Sequence, residues 1–183
     1  MSGTAGAPRQ LALNVRLRDE ATFENFFVTP ASRQAHAWLR TAADRPEALA
    51  FLHGPADGGK SHLLQAACRA FPAVSFYLPL REVAAHGPGI LEGLERRSLL
   101  CLDDLDGVLP SAGWEEGLFH AVNRARDCGC ALVVAARQPP GALSLKLADL
   151  RSRLAGGVTF ALPAPGDEAR AAILELRARQ LGL

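Results

Sequence analysis

The chain has 183 residues, and its 20 basic and 19 acidic side chains leave a formal charge of +1, so no global field draws it to nucleic acid or to an acidic membrane. A hydrophobic content of 49% and a charged content of 21% are those of one globular domain rather than a disordered chain. The longest apolar run, about six residues near Ala131 to Ala136, falls far short of the ~20 that a membrane-spanning helix needs, so no membrane partner is expected.

Residues 1–8 are small and polar and lack an apolar secretion core. Residues 1–20 read as an N-terminal tail and 21–183 as one core. Over 11–18, Leu11, Leu13, Val15 and Leu17 recur at every second position, the period of an extended segment. A helix is expected over 30–43, with Ser32 near its start and Ala35, Trp38 and Leu39 at helical spacing. Strands and helices then alternate: strand 48–53, helix 61–70, strand 73–78, a short helix over 90–96 and strand 98–103. Helix 114–127 places Leu118, Val122 and Ala125 on one face; strands 130–136 and 157–162 follow, and a last helix over 167–181 is expected to be capped by Asp167. Strands that are apolar throughout, separated by helices, predict an α/β fold with a five-stranded parallel sheet buried on both faces and flanked by helices. Cys68 and Cys101 lie within apolar segments, as buried reduced thiols do, while Cys128 and Cys130 have no second pair to make a zinc site. Reduced thiols point to the cytoplasm.

Gly54-Pro55-Ala56-Asp57-Gly58-Gly59-Lys60-Ser61 fits G-x-x-x-x-G-K-[ST] in full, with a strand before it and a helix after it. Gly54, Gly58 and Gly59 let main-chain N–H groups turn inward around an anion, and the following helix adds its positive end. Lys60 is placed to reach the β- and γ-phosphates, and the Ser61 hydroxyl to ligate Mg2+. A glycine-rich turn that binds nothing would not need Lys-Ser at this place. Asp57 puts a carboxylate inside the loop, where like-charge repulsion is expected to weaken nucleotide binding. About forty residues on, Leu99-Leu100-Cys101-Leu102 ends in Asp103 and Asp104, at the strand end where open parallel sheets bind ligands. Asp103 is expected to serve the magnesium shell and Asp104 to polarise an attacking water, against the blander reading of a polar strand exit. His53, His62 and His120 have no ligand-like spacing, and Trp38 and Trp114 read as packing residues.

In this order the motifs resemble an AAA+ ATPase domain of the DnaA family. The resemblance runs from about Gln10 onward. Thr22-Phe23-Glu24-Asn25-Phe26-Phe27 resembles the family's linker near the adenine, which implies Phe26 as a nucleotide contact. Lys60-Ser61-His62-Leu63-Leu64 resembles its helix start, which brings His62 into the same site. Leu150-Arg151-Ser152-Arg153-Leu154 resembles its arginine-finger segment, with Arg153 as the finger. The resemblance implies ATP or ADP with Mg2+ as cofactors. The family's small helical lid would follow Leu183, so the core is expected without it. Where the family places a polar residue to orient the attacking water, the fourth strand offers Ala135, Ala136 and Arg137. With Asp57, that predicts a P-loop ATPase fold with weak intrinsic turnover.

Within the family the match is to its regulators rather than its initiators. An N-terminal partner-binding domain and a C-terminal helix-turn-helix are not expected, and Gln10-Leu11-Ala12-Leu13 looks like a peptide that docks on the DNA polymerase III sliding clamp. Gln10, Leu11 and Leu13 are then partner contacts, although composition alone makes Leu11 and Leu13 one face of an edge strand. The implied partners are DnaA, the clamp and, through the clamp, DNA, with a second copy of the chain a further candidate. The implied role is to stimulate hydrolysis of DnaA-bound ATP and so limit initiation of chromosome replication. The alternatives are an active ATPase of helicase-loader type and a scaffold whose nucleotide site is vestigial.

Overall fold

Short, largely apolar runs make five strands, β1 (Leu49–His53), β2 (Ser75–Pro79), β3 (Leu99–Asp103), β4 (Ala131–Ala136) and β5 (Val158–Ala161). In the computed structural model, which describes residues 17–180 and 182, they form one sheet in the order β2-β3-β4-β1-β5, every pair parallel. The Gln10 to Leu13 peptide, with Leu11 and Val15 of the alternating segment, lies outside the described residues.

The two faces of the sheet sort the side chains by parity, as the period of a strand requires. Phe51, Leu100, Leu102, Leu132 and Val134 face α4 (Ala112–Asp127) and α5 (Ala148–Ala155) through Trp114, Leu118, Leu150 and Leu154. Ala50, Leu52, Cys101, Val133 and Ala135 face α1 (Arg33–Leu39) and α2 (Lys60–Ala70) through Leu39, Leu63 and Leu64. Burial on both sides is why β3 and β4 read as unbroken apolar runs. Cys68 and Cys101 are buried free thiols, and Trp114 packs in the core. No helix among the described residues is long and apolar enough to cross a membrane.

Several local expectations are corrected. The helix expected over 30–43 is the shorter α1, entered through reciprocal bonds from the Thr29 N–H to Ser32 Oγ (2.9 Å) and from the Ser32 N–H to Thr29 Oγ1 (3.2 Å). The expected helix over 90–96 is two 3-10 turns, Pro88–Leu91 and Leu94–Arg96, separated at Gly93, whose φ of 80° breaks a helical run. Two helices were not anticipated: α3 (Leu80–Val83), hidden behind Pro79, and α5, which buries only Leu150 and Leu154 among polar neighbours. In α6 (Asp167–Gln180) Asp167 is the first helical residue rather than the cap. The Arg170 N–H bonds the Gly166 carbonyl (2.8 Å), making Gly166 the cap.

Candidate functional site

The glycine loop leaves the carboxyl end of β1 at Gly54 and enters α2 at Lys60. What demands glycine there is on one flank the neighbouring backbone. A Cβ at Gly54, where φ is +147°, would lie 1.9 Å from the Leu162 carbonyl oxygen, and one at Gly58 2.4 Å from the same atom. That carbonyl belongs to the exit from β5, held by the Leu162 N–H to His53 O bond of 2.7 Å. On the other flank a Cβ at Gly59 would come 2.8 Å from the Phe26 ring, so Phe26 covers the loop. His62 sits beside it, its Nε2 2.8 Å from the Thr22 carbonyl and its ring 5.4 Å from that of Phe26. The linker is thereby tied to the start of α2.

Lys60 is buried, and its Nζ donates to the Gly54 and Pro55 carbonyls at 2.7 and 2.6 Å. Burial lowers its pKa, while Asp103, Asp104 and Asp106 raise it and Arg137 lowers it further. The ammonium thus sits in a field of three carboxylates and one guanidinium. All of them lie at the carboxyl edge of β3 and β4, and β4 stands beside β1 in the sheet.

Asp103 ends β3 and is 1% exposed. Its Oδ2 accepts from Tyr77 OH (2.7 Å), its Oδ1 from the Asp104 N–H (2.9 Å), and Ser61 also hydrogen-bonds it. Burial pushes its pKa up; the Ser61 and Tyr77 bonds act the other way. Asp104 adopts φ 53° and turns its carboxylate to Arg81 Nε at 3.7 Å. Arg137 follows β4, and its N–H donates to Asp106 Oδ2 (2.7 Å). Among the described residues no group of three or more His, Cys, Asp or Glu could hold a metal alone. The Ser61 hydroxyl beside the Asp103 carboxylate is instead a sparse, all-oxygen donor set, which suits Mg2+ only when a ligand's phosphate oxygens and water complete the shell.

Asp57 does not project its charge across the loop. Its carboxylate pairs with the Arg170 guanidinium of α6 at 3.6 Å. This contact lies on a cavity of about 820 Å³ bordered by Val28, Gly58, Gly59, Leu162 and Ile173. Val28, Leu162, Ile173 and Arg170 were not singled out in the sequence, because none belongs to a contiguous motif.

Arg153 is elsewhere. It lies in the last turn of α5, exposed, and its side chain has no hydrogen-bond or ion-pair partner among the described residues. It borders a second cavity, of about 590 Å³, with Leu49 and Val158. Those two residues open β1 and β5, so Arg153 is at the amino edge of the sheet. The five residues of β1 separate it from the glycine loop by roughly 16 Å at ~3.3 Å per residue. Its helix is held by Glu115, a buried residue of α4 whose Oε2 accepts from the Lys146 and Leu147 N–H groups at 2.8 and 2.7 Å. Arg151 bonds the Leu145 carbonyl in the same corner.

No family model matches the chain. The chain is 33% identical over 178 residues to an uncharacterized protein of Haemophilus influenzae, covering 95% of this chain and 77% of that protein. Among solved structures, domain III of the Thermotoga maritima replication initiation protein DnaA superposes with a TM-score of 0.77 at 25% identity, over 91% of this chain and 77% of that one. DnaA from Aquifex aeolicus, solved with AMPPCP bound, gives 0.75 at 22% identity over 91% and 57%. The chain thus spans little more than half of the longer replication initiators it matches, 56% and 57%. The chain belongs to the family of the Haemophilus influenzae protein, and its five-stranded parallel sheet flanked by helices is the core of an AAA+ P-loop ATPase fold.

Proposed function

We propose that the chain is an Hda-like regulator of the initiation of chromosome replication, a cytoplasmic protein that binds ATP or ADP and acts on nucleotide held by a partner. The observation that carries this reading is the position of Arg153: exposed, without a side-chain partner among the described residues, and at the sheet edge opposite the chain's own glycine loop. A guanidinium so placed cannot serve the phosphates of its own chain. It is available to a neighbouring molecule, where it would stabilise charge on a transferring phosphoryl group. The neighbour would be ATP-bound DnaA, brought close when Gln10, Leu11 and Leu13 dock on the DNA-loaded sliding clamp.

The chain's own nucleotide would lie in the 820 Å³ cavity, its base beside Phe26 and Val28 and its phosphates at the loop of Gly54, Gly58 and Gly59. Lys60 would exchange its two carbonyl partners for phosphate oxygens. Mg2+ bound with the nucleotide would neutralise phosphate charge, and Ser61 and Asp103 would be the chain's ligands to it. The oxygen-only donor set supports that assignment. Asp104 is turned to Arg81, and the sensor position is Ala135-Ala136-Arg137, so this chain holds nucleotide rather than turning it over.

The test is hydrolysis of DnaA-bound ATP in the presence of clamp loaded on DNA. The wild-type chain is expected to stimulate it. Arg153→Ala is expected to abolish the stimulation, a loss of ~10³-fold or more in finger-dependent rate, while ADP affinity and melting temperature stay unchanged. Gln10→Ala with Leu13→Ala is expected to remove clamp binding. Equal stimulation by wild type and Arg153→Ala overturns the reading. Turnover by the chain alone, lost in Lys60→Ala, would favour a helicase-loader type of ATPase instead.

A further inference from the structure

Tyr77 is the only tyrosine of the chain, and it is buried on β2 with its ring on the α2 side of the sheet. Its hydroxyl donates to Asp103 Oδ2 at 2.7 Å and lies 3.3 Å from Gln65 Nε2, which donates to it. Gln65 is 5% exposed, and its Oε1 accepts the Arg18 main-chain N–H at 2.8 Å. The Arg69 guanidinium holds the Arg18 carbonyl at 2.9 Å. The direction of every bond is determined. An N–H at Arg18 can be met only by the Gln65 oxygen, which turns the Gln65 amide nitrogen to Tyr77. Tyr77 must then accept from Gln65 and spend its proton on Asp103.

We propose that Tyr77 is a positioning residue for Asp103, and that Gln65 couples the main chain at Arg18, where the N-terminal segment joins the core, to that carboxylate. This rests on the reading that Asp103 serves a nucleotide-bound Mg2+. With Oδ1 on the Asp104 N–H and Oδ2 on Tyr77, the carboxylate plane is held at both oxygens, and once the Ser61 hydroxyl that also bonds it turns to the metal, a lone pair on each remains for the metal's shell. Without the tyrosine hydroxyl, the carboxylate loses one of the bonds that fix its plane and the Gln65 amide loses its buried partner. A displacement of the chain at Arg18 would shift Gln65, and through it the hydroxyl. Removal of groups that orient a ligand from outside the coordination shell typically weakens metal binding about 10- to 100-fold.

The experiment is ADP titration of the full chain with Mg2+ and with EDTA, beside NMR of the single ring carbon-labelled tyrosine. In wild type, Mg2+ is expected to tighten ADP binding and to shift the tyrosine resonance. Tyr77→Phe is expected to cut the Mg2+-dependent gain by about tenfold or more, with affinity in EDTA unchanged. Gln65→Met is expected to lower the gain less, and the double variant to be no worse than Tyr77→Phe, since both act through one chain of bonds. Arg18→Pro, which deletes the N–H, is expected to move the tyrosine resonance and lower the gain, whereas Arg18→Ala leaves both alone. An unchanged Mg2+ gain in Tyr77→Phe overturns the positioning role, and identical behaviour of Arg18→Pro and Arg18→Ala overturns the coupling. Should Tyr77→Phe fail to fold, Gln65→Met and Arg18→Pro carry the same test. No Mg2+ gain in wild type would sink the underlying reading and the inference together, and that outcome is visible before any substitution is made.

Discussion

Replacing Gly54 with alanine sets a methyl group against the backbone that closes the sheet. The added Cβ would lie 1.9 Å from the Leu162 oxygen, at a residue whose φ is +147°. Holding a side-chain-bearing residue in that backbone region costs ~1–3 kcal/mol. Forcing a methylene into a filled site costs a further ~1–3 kcal/mol. Leu162 cannot simply retreat, because its N–H bonds the His53 carbonyl at 2.7 Å, one residue before the glycine itself. The expected loss is ~2–6 kcal/mol, a large part of the ~5–15 kcal/mol that stabilises a domain. Gly58→Ala meets the same oxygen at 2.4 Å without positive φ and is expected to lose ~1–3 kcal/mol. Gly141→Ala, with nothing within 4 Å, is the control and should change stability by less than ~1 kcal/mol. Urea unfolding of the three variants, without nucleotide, is the assay. If Gly54→Ala unfolds at the same midpoint as Gly141→Ala, the claim that a strand carbonyl dictates glycine here is wrong.

Three further outcomes can be checked alongside. Asp57→Asn should bind ADP more tightly, because it leaves the Arg170 guanidinium beside the loop with one carboxylate partner fewer, and should melt within ~1 kcal/mol of wild type, because the Asp57–Arg170 pair is half exposed; calorimetry reads the first and thermal melting the second. Glu115→Ala strands the N–H groups of Lys146 and Leu147 and should cost ~2–4 kcal/mol in chemical denaturation; a loss below ~0.5 kcal/mol would mean that α5 is not held by that carboxylate. Burial, and then the Lys60 charge, hold the His53 pKa below its ordinary value of 6.5. As pH falls below about 6.5 the unfolded chain takes up that proton first, so stability should fall until the folded pKa is passed. His53→Asn should flatten the decline measured between about pH 7.5 and 5.5, and an unchanged slope would refute the assignment.

How much of the site was legible depended on how far apart in the chain its parts lie. Gly54 to Ser61 is one contiguous run between a strand and a helix, so its residue types and spacing announce themselves. Asp103 was recognisable because an apolar strand ends on it. Anion binding alone does not account for the glycines. They make room for the Leu162 carbonyl and the Phe26 ring, whatever else the loop binds. The expected repulsion from Asp57 overlooked Arg170 on a distant helix. Arg153 was singled out while the helix that carries it was missed, because two buried leucines in eight residues of α5 leave almost no periodic signal.

The residue order alone therefore determined the alternation of strands and helices, the parallel sheet they must form, and the motifs at two of its strand ends, because periodicity and contiguous motifs are local properties of a chain. Only the tertiary structure decided that Tyr77 and Gln65 join Arg18 to Asp103, that Arg170 answers Asp57, and that Arg153 stands at the opposite edge from the loop. Those relations come from strand order and helix packing, which bring together side chains whose separation along the chain follows no fixed period.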